Sequence, residues 1–272
     1  MTDAKVKETA LLAAKEAGRI LRRGVGNVHE ISYKRDIIDL VTEVDRLSEE
    51  RIIRIIRKAH PDHEILAEEG GRSKGTSAHR WIIDPLDGTT NYAHGYPCFC
   101  ISIAVEEEGD TVYGVVYDPI GEELFTAEKG KGAQLNGRPI SVSGMERLDD
   151  SLLCTGFPYD VRRGEKTNLE YFGRFVMKAQ GVRRDGSAAL DLCYVAMGRF
   201  DGFWEMKLAP WDMAAGSLIV AEAGGMVSNF DGGTFTLASS EILASNGKIH
   251  GEMVEVLKDR RYPSEPHQNK SA

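Results

Sequence analysis

The sequence predicts an α+β fold, and three observations carry that reading. Residues 5 to 23 place Ala10, Ala13, Ala14, Ala17, Ile20 and Leu21 at helical spacing, with Lys and Arg between them. Residues 99 to 137 instead hold β-rich runs separated by turn signals, the pattern of an antiparallel meander. Beyond about residue 150, short apolar runs alternate with helical stretches. The 272 residues suffice for one large domain or two closely packed halves. A seam near 143 to 150 divides the chain into halves 1–145 and 146–272.

The elements follow in order. Gly24-Val25-Gly26-Asn27 ends the first helix. A second spans roughly 46 to 59, with Leu47, Ile52, Ile53, Ile55 and Ile56 as its apolar face, and Pro61 ends it. Asp45 stands just before it, where an N-cap belongs. Glu64 to Ala67 is a short strand, followed by Glu68-Glu69-Gly70-Gly71 and a polar loop from 70 to 79. Trp81-Ile82-Ile83 ends a buried strand; Asp84 sits where it runs out, and Pro85 stops the ladder because it has no N–H.

Thr89-Thr90-Asn91 then opens a helix. Strands near 99–105 and 111–117 are joined through Glu107-Glu108-Gly109-Asp110, and a third covers 123–127. Gly130-Lys131-Gly132 and Asn136-Gly137 mark further turns. These glycines are structural, since neither the lysine nor the helix of a phosphate loop follows. The second half reads as strand 152–155, a helix near 166–179, and a helix from Gly186-Ser187 to about 197. Strand Asp201–Glu205 comes next, ending in a carboxylate, then a helix opening at Ala209-Pro210 and capped by Gly224-Gly225. Strand 241–245 and a helix near 248–258 complete the chain, and residues after 260 are polar and frayed.

Composition excludes several classes. A net charge of −8 argues against a general nucleic-acid binder, which needs a basic face. No apolar run reaches the roughly 18 residues of a membrane span. The N-terminus lacks the apolar core of a signal peptide, so a cytoplasmic location is expected. Cys98, Cys100, Cys154 and Cys193 form no C-x-x-C pair. They are expected as buried free thiols, with no zinc site.

The chemistry concentrates in Asp84-Pro85-Leu86-Asp87-Gly88-Thr89-Thr90-Asn91-Tyr92. Two carboxylates there precede a helix start, with a glycine that lets backbone approach a ligand. Carboxylates hold hard cations, and a helix N-terminus holds phosphate. The pairing points to metal-assisted phosphate chemistry. Alone, D-P-x-D also reads as an ordinary turn, Glu68-Glu69 as a solvated one, and Glu205 as an exposed strand end.

The full string resembles the first signature of the inositol monophosphatase family, the lithium-sensitive magnesium phosphatases. Asp39 to Asp45 fits the family's D-x-V-T-x-x-D stretch. Trp211-Asp212-Met213-Ala214-Ala215-Gly216 matches its second signature, which alone would be a plain helix start. The resemblance implies a layered αβαβα sandwich. It implies that Glu68, Asp84 and the Leu86 carbonyl hold one magnesium, and that Asp84, Asp87 and Asp212 hold a second, with two or three ions per site. Most of these ligands fall in the N-terminal half; Asp212 and the substrate pocket fall in the C-terminal half.

By the same resemblance, Thr89 with Asp45 would orient the attacking water, and Glu68 is the other candidate for taking its proton. Asp45 would also support a further metal. Gly88 and Thr89 would offer N–H groups to phosphate, and Lys34 would be the basic residue of the loop beside the site. Glu205, Asp87 and the backbone at Gly186, Ser187 and Ala188 would hold the polyol. The implied substrate is a myo-inositol monophosphate, and the implied assembly a homodimer. Fructose 1,6-bisphosphate, histidinol phosphate and nucleotide 3′-phosphates are alternative substrates. A role as a partner of transcription machinery is an alternative of another class. Lys207-Leu208-Ala209-Pro210 looks like the bacterial branch.

Overall fold

Helix α1 (Ala4–Gly24) opens the computed structural model, which describes residues 2–26, 31–33 and 40–259. Asp3 caps it by accepting the Lys5 N–H at 3.0 Å. The hairpin β1 (Ile31–Tyr33) and β2 (Leu40–Thr42) leads into α2 (Glu43–Ala59). Here the N-cap is Thr42, and Asp45 lies inside the helix as its third residue. The carboxylate of Asp45 reaches back to the Thr42 N–H at 2.8 Å, a capping box, which corrects the reading of Asp45 as the cap itself. Lys34 and Asp39, and the residues after 260, lie outside the described residues.

The large sheet follows: β3 (Glu64–Ala67), β4 (Gly71–Ser73) and β5 (His79–Asp87). After the short helix α3 (Thr89–Ala93) come β6 (Cys100–Glu107), β7 (Asp110–Asp118), β8 (Glu123–Glu128), β9 (Gly132–Leu135) and β10 (Arg138–Pro139). Their order in the sheet is β10-β9-β8-β7-β6-β5-β3-β4. Only β3 and β5 run parallel; every other pairing is antiparallel, so the expected meander is present. The stretch expected as a loop from 70 contains the exposed edge strand β4. Pro85 also fails to end β5: the strand passes through it to Asp87, with the ladder irregular between Asp84 and Asp87.

The second sheet begins with β11 (Leu152–Thr155). It continues through α4 (Leu169–Val176), β12 (Gly181–Arg183), α5 (Ala188–Ala196), β13 (Gly202–Met206) and α6 (Pro210–Glu222). The last elements are β14 (Met226–Ser228), β15 (Glu241–Ser245) and α7 (His250–Lys258). Strand order is β12-β11-β13-β15-β14. Helix α4 is shorter than the sequence pattern suggests, and β12 and β14 are three-residue strands that it did not reveal.

Five layers result. Helices α1 and α2 pack on the outer face of the large sheet, with Ala10, Ala14, Ala17 and Ile52 against Trp81, Ile83 and Ile103. Helices α5 and α6 fill the space between the sheets, burying Leu190, Met213 and Ile219 beside Ile82, Val116 and Phe203. Helices α4 and α7 cover the far face of the small sheet through Phe175, Met253 and Leu257 on Trp204 and Leu243. The order is αβαβα. All four cysteines are buried and free.

Candidate active site

The Asp84–Asp87 segment is a β-bulge. Asp84 pairs with Ser102 and Asp87 with Cys100, so β5 spends one more residue than β6 over the same stretch. Residues three apart on a regular strand face opposite sides of the sheet. The extra residue turns Asp87 to the side of Asp84, and both line the same cleft. Helix α2 holds the bulge in place, since the buried Ser48 hydroxyl donates to the Pro85 carbonyl at 2.8 Å. Asp84 is buried, and its Oδ1 accepts the Leu86 N–H at 3.0 Å.

The cleft has two adjoining lobes, of about 170 and 80 Å³, that share Asp87, Gly88, Thr89, Tyr159, Lys207 and Asp212. Glu68 and Asp84 lie only in the larger lobe; Glu205, Gly186 and Ala188 lie only in the smaller. Glu68 follows β3, and its N–H donates to the Ile83 carbonyl at 3.2 Å. The turn is tied to α2 through the buried carboxylate of Glu49, which accepts the Glu69 N–H at 2.8 Å. Asp212 arrives on the first turn of α6, after Pro210, and its carboxylate accepts the Ala209 N–H at 2.7 Å.

Asp87 has a second attachment. Its Oδ2 accepts the Ser187 hydroxyl at 2.6 Å and the Ala189 N–H at 2.8 Å. Ser187 is the N-cap of α5 by position, yet its hydroxyl does not cap; the Asp87 carboxylate takes the free N–H instead. The buried Ser187 side chain therefore supports Asp87, while Gly186 and Ala188 beside it face the smaller lobe.

Gly88 must be glycine. Its φ is +93°, and an added Cβ would stand 2.9 Å from the Cys98 carbonyl oxygen. Thr89 is buried, and its hydroxyl donates both to Asp45 Oδ1 at 3.0 Å and to the Leu86 carbonyl at 3.1 Å. The Thr89–Asp45 contact is the one the family resemblance implies. Helix α3, however, is only five residues long, so its dipole is small and the local N–H groups matter more.

These carboxylates are costly as charges. Burial pushes Asp84 well above the usual carboxylate range, and Glu68, Asp87 and Asp212 push it further. Asp212 is raised by burial and by Asp87 and Glu68, against the Ala209 N–H. Asp87 is raised by burial too, opposed by Ser187 and Ala189. Burial lifts Asp45 to about 6, against its bonds from Thr42. Glu205 is raised to about 8 by burial, with Arg184 opposing.

Among the described residues, no three His, Cys, Asp or Glu side chains enclose a single ion in these side-chain conformations. Each aspartate is held by its own hydrogen bonds, yet Glu68 and Asp84 come within hydrogen-bonding reach of each other. Two such carboxyls must share a proton or a cation. An all-oxygen set of this kind fits a hard divalent cation, and fits zinc or copper poorly.

Sequence reasoning missed three residues at the cleft: Tyr159, Arg184 and Lys207. Tyr159 lies over both lobes and its phenol faces the four carboxylates. The signal available was Phe157-Pro158-Tyr159 shortly after the end of strand β11.

The inositol monophosphatase family model matches residues 3–262. The chain is 49% identical over 251 residues to the inositol-1-monophosphatase of Synechocystis, covering 92% of this chain and 88% of that one. It is 45% identical over 261 residues to the Nus factor SuhB of Pseudomonas aeruginosa, covering 94% and 96%. The inositol monophosphatase structure from Anabaena superposes with a TM-score of 0.83 at 44% identity, over 92% of this chain and 94% of that one. The SuhB structure from Bartonella henselae gives 0.89 at 44%, over 94% and 99%. The bulged Asp84–Asp87 turn, the Asp212 helix start and the αβαβα order are thus met by matches along nearly the whole sequence, and the chain belongs to the inositol monophosphatase family.

Proposed function

We propose that the protein hydrolyses myo-inositol monophosphates to inositol and phosphate, using magnesium bound at Glu68, Asp84, the Leu86 carbonyl, Asp87 and Asp212. The observation that carries this reading is the two-lobed cleft, with Glu68, Asp84, Asp87 and Asp212 along the larger lobe and Glu205 in the smaller. Membership of a metal-dependent phosphatase family supports it. When bound, magnesium supplies charge neutralisation, activation of water and stabilisation of the leaving alkoxide.

The chain's own residues do the rest. Thr89 directs its one hydroxyl hydrogen toward Asp45 and the Leu86 carbonyl, so its oxygen lone pairs are left to accept a hydrogen bond from a water and orient it. Glu68, half-buried beside that position, takes the water's proton. The Gly88 and Thr89 N–H groups hold phosphate oxygens, which only a glycine at the left-handed position allows. Glu205, buried at the end of the smaller lobe, accepts polyol hydroxyls, assisted by Asp87 and the backbone of Gly186 and Ala188. Lithium inhibition, a homodimer and a cytoplasmic location belong to the same reading, by family resemblance.

Phosphate release from inositol 1-phosphate, with and without magnesium, tests it. The expected result is magnesium-dependent turnover that Asp84→Asn lowers by about 100-fold or more, on the scale of disturbing a metal site. Turnover no greater than that of the variant would reject the reading.

A second reading draws on the name of one relative, Nus factor SuhB. It gives this chain a protein partner in transcription in addition to catalysis. Affinity capture from the native cell extract would show a transcription protein retained in stoichiometric amount; recovery of none would count against it.

A further inference from the structure

Helix α2 turns a polar stripe toward the backbone that carries the larger lobe. Asp45, Ser48 and Glu49 stand at positions i, i+3 and i+4, so they share one side of the helix. All three are buried. A helix that served only as cover would carry apolar side chains there, as α2 does at Val44, Ile52 and Ile56.

Each of the three reaches a different segment. Asp45 accepts the Thr89 hydroxyl at 3.0 Å, at the start of α3. Ser48 donates to the Pro85 carbonyl at 2.8 Å, inside the irregular stretch between Asp84 and Asp87. A serine within a helix often turns its hydroxyl back to the carbonyl four residues earlier. This one is turned outward, to the bulge. Glu49 accepts the Glu69 N–H at 2.8 Å, and the Gly70 N–H is also directed at its carboxylate. The fit is close, since a Cβ at Gly70 would stand 2.8 Å from Glu49 Oε1. Glu68 therefore sits on a turn held at its next two residues.

The paired residues of β3 and β5 end at Ala67 and Ile83, one short of Glu68 and Asp84. Past that point, helix α2 is the frame that the turn and the bulge share. Of the four carboxylates along the larger lobe, Glu68, Asp84 and Asp87 ride on segments fixed to this one helix face, and Asp212 arrives separately on α6.

We propose that Ser48 and Glu49 are positioning residues that divide the two metal positions between them. Glu49 acts through the turn after β3, and so on the one ion that Glu68 ligates. Ser48 acts through the bulge that carries Asp84 and Asp87, and so on both ions. This rests on the phosphatase reading above and on its two metal positions.

The test uses the full chain stripped of metal by chelator and titrated with manganese, the free ion being followed by electron paramagnetic resonance. The wild type is expected to bind a pair of ions. Glu49→Gln keeps the shape of the side chain but leaves one acceptor oxygen in place of two. It is expected to weaken one ion about 10-fold or more while the other shifts by less than about twofold, the size of disturbing a group that orients a ligand. Ser48→Ala is expected to weaken both ions by about 10-fold. Ile52→Val, on the apolar face of the same helix, is the control: it lowers the melting temperature of the metal-free protein and leaves both manganese affinities unchanged. Because its ligands are intact, Glu49→Gln should recover turnover of inositol 1-phosphate to within about threefold of wild type at raised magnesium, with KM unchanged.

Manganese affinities equal to wild type in both variants would overturn the assignment. So would a Glu49→Gln loss shared equally by the two ions, or an Ile52→Val loss as large as that of either variant. Binding by the wild type that neither variant disturbs sinks the positioning role alone. A wild-type chain that binds no manganese sinks the metal reading together with it.

Discussion

Asp87 is fixed by a hydroxyl and an N–H that lie 100 and 102 residues further along the chain. That attachment explains why its carboxylate stays in place while three others crowd it, and it could not be read from local sequence. Glu68, Asp84 and Asp212 were legible as candidates through the family resemblance, since each short string taken alone also reads as an ordinary turn or helix start. Ser187 was legible only as a helix opener; its use as a support for Asp87 appears only once segments 100 residues apart are brought together. Glu205 makes a prediction at this scale. Its folded pKa, raised to about 8 by burial, lies above the ordinary value of 4.5. A raised carboxyl contributes stability that is fully present below about 4.5 and is lost as pH rises through about 8. In metal-free protein, melting temperature should therefore fall between pH 5.5 and 8.5, and Glu205→Gln should reduce that fall by roughly 2–4 °C. Parallel melting curves in a chelator check this; an identical pH slope in both proteins would contradict it.

At the level of elements, the decisive features are irregular ones. The bulge in β5 turns Asp87 to the side of Asp84, and a regular strand would have separated them. Pro85 marked the place in the sequence, but as a strand end, because proline cannot give an N–H to the ladder. The irregular register itself depends on β6, a partner that starts at Cys100, beyond the reach of a local pattern. The same holds for β4, β12 and β14, three-residue strands defined by their neighbours more than by their own residues. Another junction yields a prediction. Gly156 follows the end of β11, and a Cβ there would collide with the carboxyl group of Glu205. Gly156→Ala should displace Glu205 and raise KM for inositol 1-phosphate about 10-fold while changing kcat less, the size of one hydrogen bond to a charged group. Steady-state kinetics decide it; an unchanged KM would show that Glu205 does not set substrate affinity.

For the whole molecule, the layer order explains why the cleft exists where it does. Helices α5 and α6 lie between the sheets and start at Ala188 and Pro210, so their first turns bring Ala188 and Asp212 to the same opening as the β5 bulge. The α+β class and most helices were legible from periodicity. The five-layer stacking was legible only by family resemblance, because it is set by contacts between segments far apart in sequence. The central claim is that carboxylates from β5, α6 and the turn after β3 jointly hold divalent cations. Crystals soaked in manganese, a magnesium surrogate with an anomalous signal, test it most directly. At least two anomalous peaks should lie in the larger lobe, ligated by Glu68, Asp84, Asp87 and Asp212, and those four side chains should draw together around them. An enzyme that turns over substrate while the lobe stays free of metal, or peaks that avoid these four carboxylates, would contradict the account.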